Sequence, residues 1–220
     1  MTHVLWDWNG TLLDDTQAAL DTLNIMLERR HGKPIAMDYY RDHFAFPVKP
    51  FYKSIGVCLE NEDWDALARE YHDVYAEQPV RLNPETIAAL ERVKAAGARQ
   101  SIISALRQDL LEEITARLGV AKYMDRICGV DNLDGFGKIN RAKEMLSSLH
   151  SSSSVPASSF VLIGDSLHDK EVADALGVRC VLCAQGSHAA WRLRAVAPTG
   201  DTIMDALDIA LAPGGGTANG

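Results

Sequence analysis

Two kinds of apolar pattern alternate along most of the chain. Short unbroken apolar runs predict strands, and segments whose apolar residues recur every three to four positions predict helices. The predicted strands are Val4 to Trp8, Ser101 to Ser104, Arg126 to Val130, Phe160 to Ile163 and Val178 to Cys183. Helical spacing lies between them, at about residues 83–97, 107–118, 140–150 and 168–176. Asn83 is interpreted as the N-cap of the first of these helices, and Lys138 is expected in the loop before the third. This alternation is typical of an α/β fold, with a Rossmann-like parallel sheet covered by helices on both faces.

One segment, residues 15–82, interrupts the alternation because it contains only helical patterns. Leu20, Leu23 and Leu27 form the apolar stripe of one helix. A second stripe consists of Trp64, Leu67, Tyr71, Val74 and Tyr75. A helical block between the first and second strands predicts an α-helical cap domain inserted into the core. The expected division is residues 1–14 and 83–212 for the core, 15–82 for the cap and 213–220 for a flexible, glycine-rich tail.

Charge and hydropathy narrow the range of partners. The formal net charge of the 220 residues is −8 and no basic run occurs, so we do not expect binding to nucleic acid. No apolar stretch is long enough to span a bilayer, and the first residues lack the layout of a signal peptide. These features predict a cytoplasmic protein that uses neither nucleic acid nor a membrane as its partner.

Cys180 and Cys183 form a C-x-x-C pair, which is also found in redox and zinc sites. A redox pair normally opens a helix and a zinc site needs a second pair of ligands, whereas these cysteines lie inside a predicted strand. We therefore interpret both as thiols of the core.

Polar side chains with known chemical uses stand at or near the ends of the predicted strands. They are Asp7, Asn9, Ser104, Lys138, Asp165 and Asp169. Each has a structural explanation when taken alone, since aspartate ends turns, serine begins helices and lysine is usually solvated. The carboxyl ends of parallel strands, however, form a common ligand crevice, so we expect these side chains to meet there.

The arrangement resembles the haloacid dehalogenase superfamily. Residues 7–12, Asp-Trp-Asn-Gly-Thr-Leu after an apolar strand, are similar to its first signature. Ser104, Lys138 and residues 164–169 resemble its second, third and fourth signatures, in that order. The helical block occupies the position of the superfamily's type 1 cap, and the phosphoglycolate phosphatase-like branch is the nearest likeness.

The resemblance implies a Mg²⁺-dependent phosphatase-type hydrolase that acts on a small phosphorylated metabolite. Asp7 would attack phosphorus and form an aspartyl-phosphate. Mg²⁺, which prefers oxygen ligands, would be held by Asp7, Asp165 and the backbone carbonyl of Asn9. Asp169 would be an alternative ligand or would orient Lys138. The residues implied in catalysis are Asp7, Asn9, Ser104 and Lys138, and those implied in binding phosphate are Trp8, Asn9, Gly10, Ser104, Ala105 and Lys138.

Asn9 departs from the family's pattern. The phosphatases carry a second aspartate there, which protonates the leaving oxygen and then takes a proton from the attacking water. An amide does neither, and losing a general acid–base typically lowers the rate by about 10²–10⁴.

Three consequences stay open. In the first, the enzyme is restricted to substrates with good leaving groups. In the second, another group, for instance from the cap, supplies the proton. In the third, the protein is a weak or inactive binder of a phosphorylated ligand. A relative that cleaves a different bond, such as that of a phosphonate, is a further alternative.

Receiver domains of response regulators are a competing class, because they also surround an aspartyl-phosphate with serine or threonine and lysine. Their acidic pair follows the first strand, whereas Asp165 and Asp169 follow the fourth, which favours the hydrolase.

The insertion carries candidate substrate contacts among its aromatic and basic residues. Arg41, His43 and Lys49 are candidates for binding a second anionic group of the substrate. Asp14 and Asp15 are interpreted as caps of the first helix of the insertion.

Overall fold

The computed structural model describes residues 2–132, 137–153 and 156–212. The flexible tail expected at 213–220 lies outside these residues. The strands are β1 (His3–Trp6), β2 (Leu13–Asp14), β3 (Arg81–Leu82), β4 (Arg99–Arg107), β5 (Ile127–Val130), β6 (Phe160–Gly164), β7 (Arg179–Cys183) and β8 (Thr199–Gly200). In the described part of the chain, six of them form one parallel sheet in the order β5-β4-β1-β6-β7-β8.

Helices cover both faces of this sheet, and others form the insertion. They are α1 (Thr16–Arg29), α2 (Met37–His43), α3 (Val48–Ser54), α4 (Trp64–Ala76), α5 (Thr86–Ala95), α6 (Gln108–Arg117), α7 (Lys138–Ser153), α8 (Leu167–Leu176), α9 (Ala190–Arg194) and α10 (Ile203–Leu211). Short 3-10 turns lie at Leu59–Asn61, Ala121–Tyr123 and Ala157–Ser159. None of the described helices is long and apolar enough to cross a membrane.

The central strand, β1, shows why the sheet is covered on both sides. Its side chains alternate between two hydrophobic clusters, because successive residues of a strand point to opposite faces. Val4 and Trp6 pack with residues of α5 and α10, while Leu5 packs with residues of α7 and α8. The expected α/β class with a parallel sheet is therefore confirmed.

β1 also aligns the strand ends. Trp6 is in register with Ile102 of β4 on one side and with Ile163 of β6 on the other. The residues that follow β1 and β6 therefore emerge side by side at one edge of the sheet.

The insertion has its own apolar cluster, in which Leu20, Leu23 and Leu27 of α1 pack with Leu67 of α4. The chain enters and leaves it through the antiparallel pair β2–β3, where Leu13 lies opposite Leu82. The sequence did not predict this pair or β8, because a strand of two residues leaves no periodic pattern.

Two local expectations were wrong. Asn83 does not begin α5, which starts at Thr86; its side chain instead accepts a hydrogen bond from the Glu85 N–H in the preceding turn. Lys138 lies in the first turn of α7, not in a loop before it. The prediction that Cys183 is a core thiol is confirmed, since it is fully buried in the cluster that contains Val4 and Trp6.

Candidate active site

Asp7 is the first residue after the central strand, and its backbone N–H still donates to the Ile163 carbonyl, at 2.8 Å. Its buried carboxylate accepts a hydrogen bond from Lys138 Nζ at 2.5 Å. The hydroxyl of Thr11 lies 3.3 Å from the other carboxylate oxygen. Asp7 is thus held from both sides while it still faces a cavity.

Asp165 occupies the equivalent position after β6 and is also buried. Thr11 Oγ1 lies 3.2 Å from Asp165 Oδ1, so this one hydroxyl bridges the two aspartates. The backbone N–H of Ser187 donates to Asp165 Oδ2 at 2.5 Å. A Cβ at Gly10 or at Gly186 would collide with the Asp165 carboxylate, so both loops need glycine to approach it.

Asp169 closes the arrangement from the first turn of α8. Its carboxylate forms a capping box with Ser166 and also accepts the Asp165 N–H at 3.2 Å. Lys138 Nζ donates to its second oxygen at 2.6 Å. The Lys138 ammonium thus donates to Asp169 as well as to Asp7.

The three carboxylates form a candidate cation site. Asp7, Asp165 and Asp169 each offer an oxygen within 4.8 Å of the others, and all are buried. Burial and then the charge of Asp169 raise the pKa of Asp7 well above its usual range and that of Asp165 to about 7. Lys138 keeps the pKa of Asp169 low despite burial. When all three are ionised, this one ammonium leaves two negative charges unbalanced, which fits a divalent cation with oxygen ligands.

Three of the residues expected to bind phosphate differ in their exposure to the cavity: Ser104, Ala105 and Trp8. Ser104 lies within β4, is buried, and accepts the Leu106 N–H on its hydroxyl at 3.0 Å. Ala105 lines the cavity, but Ser104 does not. The indole of Trp8 belongs to the hydrophobic core, so only the backbone of this residue is available to a phosphate.

The Asn9 side chain is hydrogen-bonded to the carboxylate of Asp15, which was interpreted from the sequence as a helix cap. The Asn9 amide donates to Asp15 Oδ2 at 2.7 Å, and the Tyr75 hydroxyl donates to the same oxygen at 2.5 Å. The Gly10 N–H donates to Asp15 Oδ1 at 2.7 Å, so it is not available to the predicted phosphate cradle. Asp15 does stand at the N-cap of α1, but its side chain makes no capping bond, so that expectation was wrong.

Asp15 is 3% exposed and lines the same cavity as Asp7. Burial raises the pKa of Asp15, and the hydrogen bonds from Asn9 and Tyr75 oppose that rise. The site thus holds a second carboxyl on the cavity wall beside Asn9.

The cavity itself has a volume of about 190 Å³ and lies between the strand ends and the insertion. Its polar end is formed by Asp7, Asn9, Asp15, Lys138, Asp165, Ser166 and Ser187. The rest of the lining is largely aromatic and is formed by Tyr40, Phe44, Phe46, Tyr52, Trp64 and Tyr71, with His72, His168 and smaller apolar residues; we call it the aromatic end. Tyr75 joins the two ends, because its hydroxyl donates to Asp15.

The basic candidates of the insertion do not line this cavity. Arg41 donates to the carbonyl oxygens of Gly186 and Gln185, at 3.0 and 3.1 Å. Lys49 lies over the ring of Trp64, 4.5 Å from its centroid. His43 is exposed and contacts the carbonyl of Tyr39.

Comparison with known proteins identifies the family. Residues 4–183 match the family model described as haloacid dehalogenase-like hydrolase. The chain belongs to this family. A curated relative from Caldanaerobacter subterraneus, named "Putative pyrophosphatase PpaX", is 22% identical over 188 residues, which cover 82% of this chain and 80% of the relative. The phosphoglycolate phosphatase of Aquifex aeolicus is 26% identical over 194 residues, covering 84% and 86%.

A solved structure, described as a predicted phosphoglycolate phosphatase from Haemophilus somnus, matches with a TM-score of 0.73 at 17% identity. The match covers 95% of this chain and 97% of that one, and at this identity it shows the fold alone. The family expected from the sequence is confirmed, and so is the α/β fold with a parallel sheet; a phosphoglycolate phosphatase is among the relatives that the chain resembles.

For this haloacid dehalogenase-like hydrolase, sequence reasoning missed four contributors to the site: Thr11, Asp15, Tyr75 and Gly186. Thr11 belongs to the first signature but was given no role, although it bridges Asp7 and Asp165. Tyr75 was assigned to the apolar stripe of α4. The hydroxyl group of a tyrosine on an apolar stripe is the feature of the sequence that could have predicted a contact with the site.

Gly10 provides a test of how closely the first loop must approach Asp165. Its φ of 76° lies in the left-handed region, and its Cβ would meet the carboxylate. Gly97, with a φ of 67° and open space around it, is the matched control. We expect Gly97→Ala to lower the free energy of unfolding by about 1 kcal/mol through its backbone alone, and Gly10→Ala by about 1–3 kcal/mol more through crowding. Urea denaturation measures both, and equal losses would show that Asp165 moves aside freely.

Proposed function

We propose that this protein is a Mg²⁺-dependent phosphatase-type hydrolase that cleaves a small phosphomonoester through an aspartyl-phosphate on Asp7. The carboxylate of Asp7, buried at the end of the central strand and bonded to Lys138, carries the proposal. Relatives named phosphatase and pyrophosphatase support it. The cap is proposed to be residues 15–82, on a core of residues 1–14 and 83–212, and the cytoplasmic location stays a prediction.

Mg²⁺ would be held by Asp7, Asp165 and the backbone carbonyl of Asn9, with Asp169 as an alternative ligand. When bound, it would supply the positive charge that lets a phosphate dianion approach two aspartates. The unbalanced negative charge of the three buried carboxylates supports this assignment.

In the proposed reaction an oxygen of Asp7 attacks phosphorus, and the bond from phosphorus to the leaving oxygen breaks. Lys138 and the backbone around Trp8, Asn9 and Ala105 would hold the phosphoryl oxygens and stabilise their charge. The Ser104 hydroxyl, which does not line the cavity, would join them only after turning toward it. Water then attacks the aspartyl-phosphate, which releases phosphate and regenerates the carboxylate of Asp7.

Asn9 cannot act as a general acid or base, and we propose that the carboxyl of Asp15 transfers the proton instead. This carboxyl lies on the cavity wall, next to the amide that replaces the family's aspartate. It would protonate the leaving oxygen and then accept a proton from the attacking water. This is the second of the three consequences left open by the sequence, with the helical insertion supplying the group.

Removing the metal tests the cation site. We expect EDTA to abolish hydrolysis of para-nitrophenyl phosphate and excess Mg²⁺ to restore it, because the phosphate would otherwise face unscreened carboxylates. Mg²⁺ is also expected to raise the melting temperature of the parent protein, since a ligand bound only by the folded state stabilises it. Asp165→Asn should reduce that rise, while Asp174→Asn, on the exposed face of α8, should leave it unchanged. Full activity in EDTA would contradict the proposal.

A further inference from the structure

The substrate cavity is divided into a charged end and an aromatic end. All of its formally charged lining residues within the described chain are at the charged end: Asp7, Asp15, Asp165 and Lys138. At the aromatic end, the cap contributes aromatic rings and small apolar residues, together with the imidazole of His72. A substrate bound for attack by Asp7 would place its phosphoryl group at the charged end, so its organic part would lie among the rings.

Among the described residues, neither lysine nor arginine lines the aromatic end to pair with a second anionic group of the substrate; the basic side chains of the wider cavity lining are Lys138 at the charged end and the imidazoles of His72 and His168. Arg41 is bonded to two backbone carbonyls, and Lys49 lies over the ring of Trp64 rather than along the cavity. Taking an unpaired carboxylate or phosphate into such surroundings is strongly unfavourable. A phosphorylated acid therefore matches this cavity poorly.

An aromatic group matches it well. Phe44 packs edge-to-face on Phe46 and on Phe51, and Tyr52 packs edge-to-face on Trp64. Rings of this kind accept another ring in the same geometry, with a gain beyond simple burial. The cavity volume of about 190 Å³ is suited to a phosphoryl group and one substituent of the size of a benzene ring.

We infer that the substrate is the phosphate ester of an uncharged, apolar alcohol of about the size of an arylalkanol, and not of a hydroxy acid. The inference rests on the proposed function, because it needs the phosphoryl group at Asp7. It differs from the activity named for the phosphoglycolate phosphatase relative, whose substrate carries a carboxylate.

Binding of non-hydrolysable phosphonates tests this inference separately from turnover. Calorimetry with Mg²⁺ would compare phenylpropylphosphonate with phosphonopropionate, which carries a carboxylate instead of the ring at the end of a chain one methylene shorter. We expect the aromatic compound to bind at least about tenfold more tightly, as expected for apolar groups in a fitted pocket. Equal or tighter binding of phosphonopropionate, or binding of neither compound, would overturn the inference. Absence of phosphatase turnover together with the expected binding preference would overturn only the proposed reaction.

A cation placed in the aromatic end should reverse the preference. Ala68 on α4 lines the cavity, whereas Ala66 on the same helix is exposed. In Ala68→Arg we expect phosphonopropionate to gain at least about tenfold relative to phenylpropylphosphonate, because its carboxylate then has a partner. Ala66→Arg should leave the ratio unchanged, and circular dichroism would show that both variants are folded. The same ratio in a folded Ala68→Arg variant would mean that the organic group binds elsewhere.

Discussion

Replacement of Asp7 by asparagine is expected to abolish the hydrolysis of para-nitrophenyl phosphate, by at least about 10³-fold in kcat, while the protein stays folded. An amide is a far weaker nucleophile than a carboxylate, so the covalent step is lost. The fold should tolerate the change because asparagine has the same shape and the swap removes a charge from a crowded acidic cluster. Steady-state kinetics and circular dichroism measure the two effects.

Asp14→Asn is the matched control. Asp14 lies seven positions further along the chain, in β2, but its side chain is 39% exposed and pairs with Arg81 at the surface. Its activity should stay within about twofold of the parent, because an exposed ion pair contributes little. Unchanged turnover in Asp7→Asn would remove Asp7 as the nucleophile, whatever the control does.

Asp15→Asn is expected to separate substrates by their leaving groups. Hydrolysis of an alkyl ester such as phenethyl phosphate should fall by about 10²–10⁴, because an alkoxide needs a proton to leave. Hydrolysis of para-nitrophenyl phosphate should fall less, since nitrophenolate leaves without one. Burst kinetics would show whether aspartyl-phosphate accumulates when no base activates the water. An equal loss with both esters would mean that Asp15 acts on structure rather than on the proton.

An exchange of the two side chains provides the sharper test. Asn9→Asp combined with Asp15→Asn keeps the number of charges and moves the carboxyl across a hydrogen bond of 2.7 Å. The Tyr75 hydroxyl can accept from an amide as readily as it donates to a carboxylate. We expect the double variant to recover alkyl ester hydrolysis to within about tenfold of the parent. A double variant as slow as Asp15→Asn alone would contradict a proton role for this position.

Much of the site follows from the sequence because it lies at strand ends. Asp7 and Asp165 each come directly after an apolar run, and parallel pairing of those runs brings the two carboxylates together. Their neighbours along the chain, Thr11 and Asp169, come with them. Parallel strands alone predict that the two aspartates lie at the same edge of the sheet. That β1 and β6 are neighbours, which brings the carboxylates close together, is a finding of the structure.

The environment of Asn9 could not be predicted in the same way. An aspartate just before a helix favours capping on local grounds, and that preference gave the wrong role for Asp15. Its partner Tyr75 lies 60 positions away, on a helix whose apolar stripe explained it without the site. Likewise, the two carbonyls that hold Arg41 are about 145 positions away. Contacts of this range depend on how the insertion packs on the core, which periodicity does not describe.

The paired strands β2 and β3 mark the two ends of a segment that can be exchanged as one unit between members of the family. Leu13 lies opposite Leu82 in this pair. The residues between the two strands, which include Asp15, Tyr75 and most of the aromatic residues that line the cavity, are therefore connected to the core at this one place. A graft of residues 15–82 into another member of the family would carry together the residues that we propose to select the substrate and the carboxyl that we propose to transfer the proton. Asp7, Asp165, Asp169 and Lys138 would stay behind in the recipient. Divergence of this protein toward a new ester could therefore proceed by recombination of one segment, provided that position 9 changes with it.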